Sequence, residues 1–540
     1  MKCAASKLMG LALAGLLLTA CPDKGGHGQT TPPPTGEGGG QTGGGGEPGI
    51  AQAPTKPKIK LTAKEKKSYG KAVERYEALA KKAAQTGWTD DMCEKAASAF
   101  AAVAESNPRL ELHARHNQAV IWLHCGRTTK AKGLLDAIIA KKANFSPSLV
   151  SLGYLARAKG NVAQAKSYFE RAYLADPRNA EASFNLGVCY RERAQKGKMT
   201  DAERQRIRGL RFPNGYPAYA KWMSQVEARG HVVGYRDLAI RHLQTVLAVT
   251  TGQDDPDSRV LNMRAYALMA LVYADASEEM RSKLTLAKLV INEANSSLKD
   301  YKEPLCQGGG KTTAMDKAVA ELRNVDGLIE LKKEQLVQAM KKFSAAVQCN
   351  PKFLEAHMNI GAIALGFRGY RRAENHFNAV LKLQPNNFDA IMGLGVAYRG
   401  LSAEAMADEK DKLLDRAEAQ YKKVLAVAPR NSKAHADALY NLGLLYQDYK
   451  AGNNDEENKA RLRTAMSYYD KYVAHPKAIA SAKKDALARK SDIIRTIDIM
   501  KEMAELKRKE EERERLRKAQ EAARPRPRPR APARPRPRAR

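Results

Sequence analysis

The strongest constraint on this chain is a spacing. A small residue within one helical stretch is followed by an alanine that opens the next stretch, and four positions beyond that alanine stands a large apolar side chain. The small residues are Ala119, Gly153, Gly187, Gly327, Gly361, Gly395 and Gly443; the alanines are Ala131, Ala165, Ala239, Ala339, Ala373, Ala417 and Ala465. From 119 to 153 to 187, and again from 327 to 361 to 395, the step is 34 residues. A helix pair repeated at a fixed period cannot bury its apolar face alone and must stack on its neighbours. Only 6% of the residues are aromatic and 28% are charged, which suits a long stacked array better than several globular cores. Ala, Leu, Lys and Glu at helical spacing fill most of residues 60 to 523, and β-branched runs between turn residues hardly occur, so the fold class is all-α.

Within one period the detail is specific. Leu152, Gly153, Ala165, Phe169, Ala172 and Pro177 fill positions 7, 8, 20, 24, 27 and 32 of a two-helix unit, and Ile360, Gly361, Ala373, Phe377, Val380 and Pro385 fill them again. Small residues at 8 and 20 let helices A and B approach, the bulky residue at 24 fills the space between units, and proline at 32 ends helix B. Residues 88 to 477 thereby resemble the tetratricopeptide repeat family. The resemblance implies a right-handed superhelical solenoid of about eight helix pairs that holds other proteins and carries out no reaction. The expected organisation is a signal peptide over 1–20, a linker over 21–58, N-terminal helices over 59–105, the solenoid over 106–477, a carboxyl cap and charged helix over 478–523, and a tail over 524–540.

Departures from the period mark insertions. Gly187 and Ala239 lie 52 residues apart instead of 12, so residues 191–233 are added at the A–B turn of the third repeat. That segment is basic and contains Phe212, Tyr216 and Trp222, which reads as an ordered loop with aromatic contacts. The seventh and eighth repeats each carry 10 extra residues at the same turn. Three enlarged turns on one rim offer either a second docking surface or merely tolerated loops.

In this family the concave face is lined mainly by helix-A positions 5 and 9. Here these are Val150 and Tyr154, Phe184 and Val188, Met358 and Ala362, Met392 and Val396, and Tyr440 and Leu444. The expected groove is apolar and aromatic, suited to an apolar peptide or helix; the alternative is that several of these side chains only touch neighbouring helices. The Lys at 5 and Asn at 9 with which some members hold a peptide carboxylate are absent as a set.

The amino terminus places the protein. Lys2 and Lys7 precede an apolar run from Leu8 to Leu18, too short to span a bilayer, and the run closes on Leu18-Thr19-Ala20-Cys21. These four residues resemble the lipobox of bacterial lipoproteins, which implies cleavage before Cys21 and a diacylglycerol on its sulfur; the alternative is an ordinary secretory signal with an incidental cysteine. Residues 22–58 are Gly, Thr, Pro and Gln with few apolar side chains, a flexible tether reaching about 30–35 Å. The expected location is a lipid anchor facing the periplasm, with the outer membrane favoured over the inner.

An exported chain can keep disulfides. Cys93 and Cys125 lie near A–B turns of adjacent units, and Cys306 and Cys349 fall at one end of the fifth repeat, so the pairings 93–125 and 306–349 are geometrically possible. Cys189, at a small buried position of a helix A, reads as a core thiol.

The formal charge is +33. Its densest part is the tail, where Arg524, Arg526, Arg528, Arg530, Arg534, Arg536, Arg538 and Arg540 alternate with Pro or Ala in an extended polyproline II arm. Behind an export signal its expected partners are anionic lipid, lipopolysaccharide or an acidic protein, with nucleic acid disfavoured.

No catalytic residue, metal site or cofactor is expected. Gly308-Gly309-Gly310-Lys311-Thr312 lacks the first glycine of a phosphate-binding loop, having Leu305 there, and no strand precedes it. His113, His116 and His124 lack a metal-binding spacing and read as solvated or groove-lining. In organisation the whole chain resembles the tetratricopeptide lipoproteins of the myxobacterial gliding-motility apparatus, which implies a periplasmic scaffold joining parts of an envelope-spanning complex. An assembly factor or pilotin, guiding a secretin or barrel protein to the outer membrane, is the alternative.

Overall fold

The structure is a computed structural model that describes residues 60–276, 281–301, 303–307 and 312–523. The signal segment, Cys21, the linker, residues 308–311 and the arginine tail lie outside the described residues. The fold is an all-helical, tetratricopeptide-like solenoid, and no helix is long and apolar enough to cross a membrane among the described residues. The chain divides into two compact units, residues 1–363 and 364–540.

Unit 1 begins with α1 (Ala63–Thr86) and α2 (Asp90–Ser106). Thr62 starts α1 through a reciprocal cap, its hydroxyl accepting from Glu65 N at 3.3 Å while its own N–H donates to the Glu65 carboxylate at 2.7 Å. Helix pairs follow: α3 (Glu111–His124) with α4 (Thr128–Lys141), and α5 (Ser146–Ala158) with α6 (Val162–Ala175). In both pairs the A–B turn needs a left-handed residue seven positions after the small one, and Gly126 (φ 69°) and Gly160 (φ 77°) supply it. Glu334 (φ 64°) takes the same place in the fifth repeat without a glycine's freedom.

The third repeat pairs α7 (Ala180–Lys196) with α10 (Tyr235–Thr250). Between them the inserted residues form α8 (Asp201–Arg208), a tight turn in which Phe212 N–H donates to Tyr216 O at 2.9 Å, and α9 (Ala220–Glu227). This insertion is core, not a surface loop: Ile207, Tyr219, Met223 and Val233 are fully buried. Its anchor is His242 of α10, whose ring meets Tyr173 edge-on at 4.7 Å and stacks on Tyr190 at 5.6 Å, while Nε2 lies 3.0 Å from the Tyr219 hydroxyl.

A fourth pair, α11 (Pro256–Asp275) and α12 (Ser282–Leu298), follows, with Ala267, Ala287 and Ile291 buried where the other repeats place their small, small and bulky residues. The fifth pairs α13 (Ala314–Lys332) with α14 (Leu336–Cys349), and α15 (Leu354–Gly366) comes after it.

Unit 2 contains α16 (Tyr370–Leu383), α17 (Phe388–Ser402), α18 (Ala407–Val427), α19 (Lys433–Leu444), α20 (Asp455–Ala474) and α21 (Ala480–Ala523). α19 runs on into one π-helical turn, Leu445–Tyr449. Ile493 and Ile497 of α21 are buried on the face packed beside α20, whereas Met503, Leu506 and Leu516 farther along are exposed.

Candidate functional site

A groove of about 720 Å³ opens in unit 1, and its walls come from five helices at equivalent places in the repeat: α5, α7, α11, α13 and α15. All are helix A. The floor is apolar, built by Phe184, Val188, Leu268, Leu271, Val325 and Leu328.

The walls are polar, and three of their arginines are paired with carboxylates. Arg191 Nε donates to Asp275 at 2.7 Å, Arg264 Nε donates to Glu321 at 3.1 Å, and Arg157 is bound to Glu192. The Arg264 guanidinium also covers the Phe184 ring, 4.9 Å from its centre, which shields its charge on the groove side. Burial works against that charge, but Glu321 outweighs it and holds the Arg264 pKa above the ordinary arginine value. Two asparagine contacts tie adjacent helices A together: Asn185 Nδ2 donates to the Tyr154 hydroxyl at 2.8 Å, and Asn359 Nδ2 to Asn324 Oδ1 at 3.1 Å. Glu181, half-buried at the start of α7, is pushed up to about 8 by burial and by the Asp257 carboxylate. Such a groove can seat an extended or helical segment with apolar side chains on the floor and polar groups against the asparagines and ion pairs.

The expected residues divide. Tyr154, Phe184 and Val188 do line the groove. Val150 is wholly buried in the core of unit 1, because it is directed at neighbouring helices, and it offers nothing to a ligand. Met358 is half-buried and forms no part of the groove wall. In unit 2, Met392 packs in the core with Ile391 and Tyr421, while Val396 and Leu444 are half-buried. Tyr440 is occupied: its hydroxyl donates to Asp485 of α21 at 2.5 Å, and its ring leans on Tyr472 at 5.1 Å. The capping helix therefore covers it. His116 is neither solvated nor groove-lining but fully buried, with Nδ1 3.1 Å from the Ser148 hydroxyl.

An apolar groove alone was the expectation, and the charged walls were missed. Arg157 and Arg191 stand four residues after Gly153 and Gly187, a place the rule of positions 5 and 9 does not inspect. Asn324 and Leu328 occupy positions 5 and 9 of the fifth repeat and follow directly from Gly327. Arg264 and Leu268 belong to the fourth repeat, whose marker, Ala267, is hidden among Ala265 and Ala270.

Cys93 is joined to Cys125 and Cys306 to Cys349, with Cα separations of 6.2 and 4.1 Å. Cys189 is a free, buried thiol pushed up to about 12 by burial. Among the described residues no three His, Cys, Asp or Glu side chains converge as a metal site would require.

Residues 150–210 and 358–411 match the family model of the tetratricopeptide repeat, so the chain carries tetratricopeptide repeats. No curated protein matches in sequence. Solved structures with similar folds include a monomeric mutant of IFIT1 with Gppp-AAAA, at 15% identity and a TM-score of 0.42, covering 80% of this chain and 86% of that one. Another is a tetratricopeptide repeat protein from Parabacteroides merdae, at 14% identity and a TM-score of 0.31, covering 64% of this chain and 98% of that one. A third, YrrB, described as a tetratricopeptide protein with an unusual peptide-binding site, is 12% identical with a TM-score of 0.24 and covers 48% and 95%.

Proposed function

We propose that this protein is a lipid-anchored scaffold of the bacterial cell envelope that holds a segment of another protein in the groove of unit 1. The observation that carries the binding role is the wall of five helices A around an apolar floor, with the ion pairs and asparagines already satisfied among themselves. Tetratricopeptide repeats are protein-binding units, and a groove with an apolar floor and its wall arginines paired selects its ligand largely by shape and apolar burial.

The anchoring rests on sequence. Leu18-Thr19-Ala20-Cys21 closes a short apolar run behind two lysines, and the Gly/Pro-rich residues after it form a tether to the periplasmic side. Two disulfides suit an oxidising compartment and support export. In this reading the arginine tail meets anionic headgroups, lipopolysaccharide or an acidic protein, and the assembly served is an envelope-spanning complex of the gliding-motility kind, most plainly at the outer membrane.

The test is affinity purification of the full chain from gently solubilised envelopes, beside Leu268→Asp, which puts a charge on the groove floor, and beside a chain lacking residues 524–540. Several motility-complex proteins recovered with the wild type and lost with Leu268→Asp are expected. Recovery unchanged by Leu268→Asp would remove the groove from the account, and a single secretin or barrel protein would replace the scaffold with an assembly factor. Mass spectrometry of the amino-terminal peptide checks the anchor: a diacylglycerol-bearing Cys21 is expected, and an unmodified one sinks that part.

A further inference from the structure

Glu181, Glu321 and Glu355 each stand six residues before the small residue of a helix A, Gly187, Gly327 and Gly361. One register therefore puts three carboxylates at the same level of α7, α13 and α15. Asp257 joins them from the first turn of α11, the helix that packs against both α7 and α13. Glu321 and Glu355 line the groove of unit 1 directly. Glu181 acts through space on the groove-wall residues Arg264 and Tyr154, and Asp257 acts on Glu181. The four thus form one edge of the groove, at the amino-terminal side of its helices A.

The charge on this edge is not balanced. Arg264 Nε is given to Glu321 at 3.1 Å, whereas Glu181, Asp257 and Glu355 belong to no ion pair among the described residues. The protein crowded around each of these three, and then a neighbouring carboxylate (Asp257 beside Glu181, Asp255 beside Asp257, Glu321 beside Glu355), pushes its pKa above the ordinary range. A carboxylate at a helix start favours the helix dipole, but repulsion between carboxylates of adjacent helices is relieved only by cations laid along the edge. The opposite edge differs, because Arg157 is bound to Glu192 and Arg191 to Asp275. Width completes the description. Glu181 and Arg191 are ten residues apart on α7, and Glu321 and Lys332 eleven apart on α13, which sets the edges about 15–17 Å apart. An α-helix with its side chains is about 10–12 Å across and can meet the floor and the acidic edge together, whereas a single extended strand is too narrow to do both.

We propose that the occupant of this groove is an amphipathic helix of a partner protein that carries lysines or arginines along one flank of its apolar face, the flank lying against Glu181, Asp257, Glu321 and Glu355. The proposal rests on the reading of the groove as a protein-binding site and adds the kind of helix it takes. It also fixes the direction of that helix: with the apolar face on the floor, reversing the helix would carry its basic flank to the wrong edge.

Three fluorescein-labelled helical peptides of about 18 residues test this against the full chain in detergent, by fluorescence anisotropy at one ionic strength. All share one leucine face, and the positions along one flank of it are lysine, glutamine or glutamate. The chain carries +33, so attraction by net charge alone favours the glutamate peptide. The proposal expects the reverse order, with the lysine peptide bound about 10-fold more tightly than the glutamine peptide and the glutamate peptide weakest. Asp257→Asn and Glu355→Gln together, both at exposed positions, should bring the lysine peptide down towards the glutamine peptide. Leu268→Asp should abolish the binding of all three. Lysine and glutamine peptides bound equally and both lost with Leu268→Asp would overturn the acidic edge and leave the groove standing, as would a glutamate peptide bound tightest and lost in the same way. Binding that survives Leu268→Asp would overturn the groove reading itself, and no binding by any of the three would overturn a helical occupant.

Discussion

Gly187 and Leu243 stand 56 positions apart in sequence and face one another in the fold, so close that a Cβ on Gly187 would fall 2.9 Å from Leu243 Cγ. The same pairing of small and bulky residue recurs at 16 positions in Gly153–Phe169 (2.4 Å) and Gly327–Phe343 (2.6 Å), and at 26 in Gly395–Tyr421 and Gly443–Tyr469 (both 2.5 Å). Insertions of different length thus leave one contact intact. The helix pair is defined by that contact, and the turn is free to grow.

Adding a methyl at this contact should be destabilising in proportion to the stiffness of the partner. Gly153→Ala drives a Cβ into the ring of fully buried Phe169, and about 2–3 kcal/mol is expected from overpacking; Gly187→Ala meets a pliable leucine, and about 1 kcal/mol is expected. Gly70→Ala, on α1 with nothing within 4 Å, should instead stabilise by about 0.5–1 kcal/mol. Urea midpoints of the three variants check the order, and a Gly153→Ala protein as stable as wild type would refute the contact.

The buried carboxylate of Asp326, 1% exposed, is held by Lys288 and by Lys342 at 2.8 Å. Burial raises its pKa, but the two lysines outweigh burial and hold it below the ordinary aspartate value. Its contribution is therefore present above about pH 4 and lost as pH falls through the lowered native value. Asp326→Asn should cost about 3 kcal/mol, the lower end for a broken buried pair, because both lysines keep partial exposure and can turn to water. The loss should shrink below pH 3.5, which denaturant titrations at pH 7 and pH 3 would show; a constant difference would contradict it.

How far these features could be read from residues alone depends on what fixes them. The helix pairs were legible because a steric demand selects glycine or alanine at one spacing, as at Gly153 and Gly327. The fourth repeat was not, since Ala267 meets the same demand in a stretch already rich in alanine. The insertion at 191–233 was legible as an addition but not as core, because its burial depends on Tyr219 reaching His242 across 23 residues. The groove's apolar floor followed from Phe184 and Val188. Its charged walls depend on which side chain of the next helix stands opposite, and spacing within one repeat does not encode that.

Acid should loosen unit 1 well above the carboxylate range. His242 and His116 are fully buried, and burial, aided by Arg241 and His113 respectively, lowers each pKa to about 3 from an ordinary 6.5. The unfolded chain binds more protons than the folded one between those values, so stability is full above pH 6.5 and falls on acidification by about 1.4 kcal/mol per pH unit for each histidine. From pH 7 to pH 5 the loss should be about 2 kcal/mol per residue. His242→Gln, which keeps a polar group near the Tyr219 hydroxyl, should be less stable at pH 7 yet flatter with pH; an unchanged slope would show that His242 does not titrate on unfolding.

The cysteines give a count that structure and compartment must both satisfy. Cys93, Cys125, Cys306 and Cys349 are bridged, and Cys189 is buried with a thiol pushed up to about 12, so neither thiolate chemistry nor access favours its reaction in the native fold. Protein isolated from envelopes with thiols blocked at lysis should therefore take up no alkylating reagent when folded and one equivalent, at Cys189, when denatured without reductant. After reduction it should take up five if, as proposed, Cys3 has left with the signal segment and Cys21 carries the lipid. Closing a loop across the 43 residues from Cys306 to Cys349 is worth about 3–4 kcal/mol in the chain-entropy account, so reductant alone should lower the urea midpoint of unit 1 while leaving unit 2 where it was. Five reactive thiols in unreduced, denatured protein would mean that the bridges do not form in the cell, and export to an oxidising compartment would lose that support.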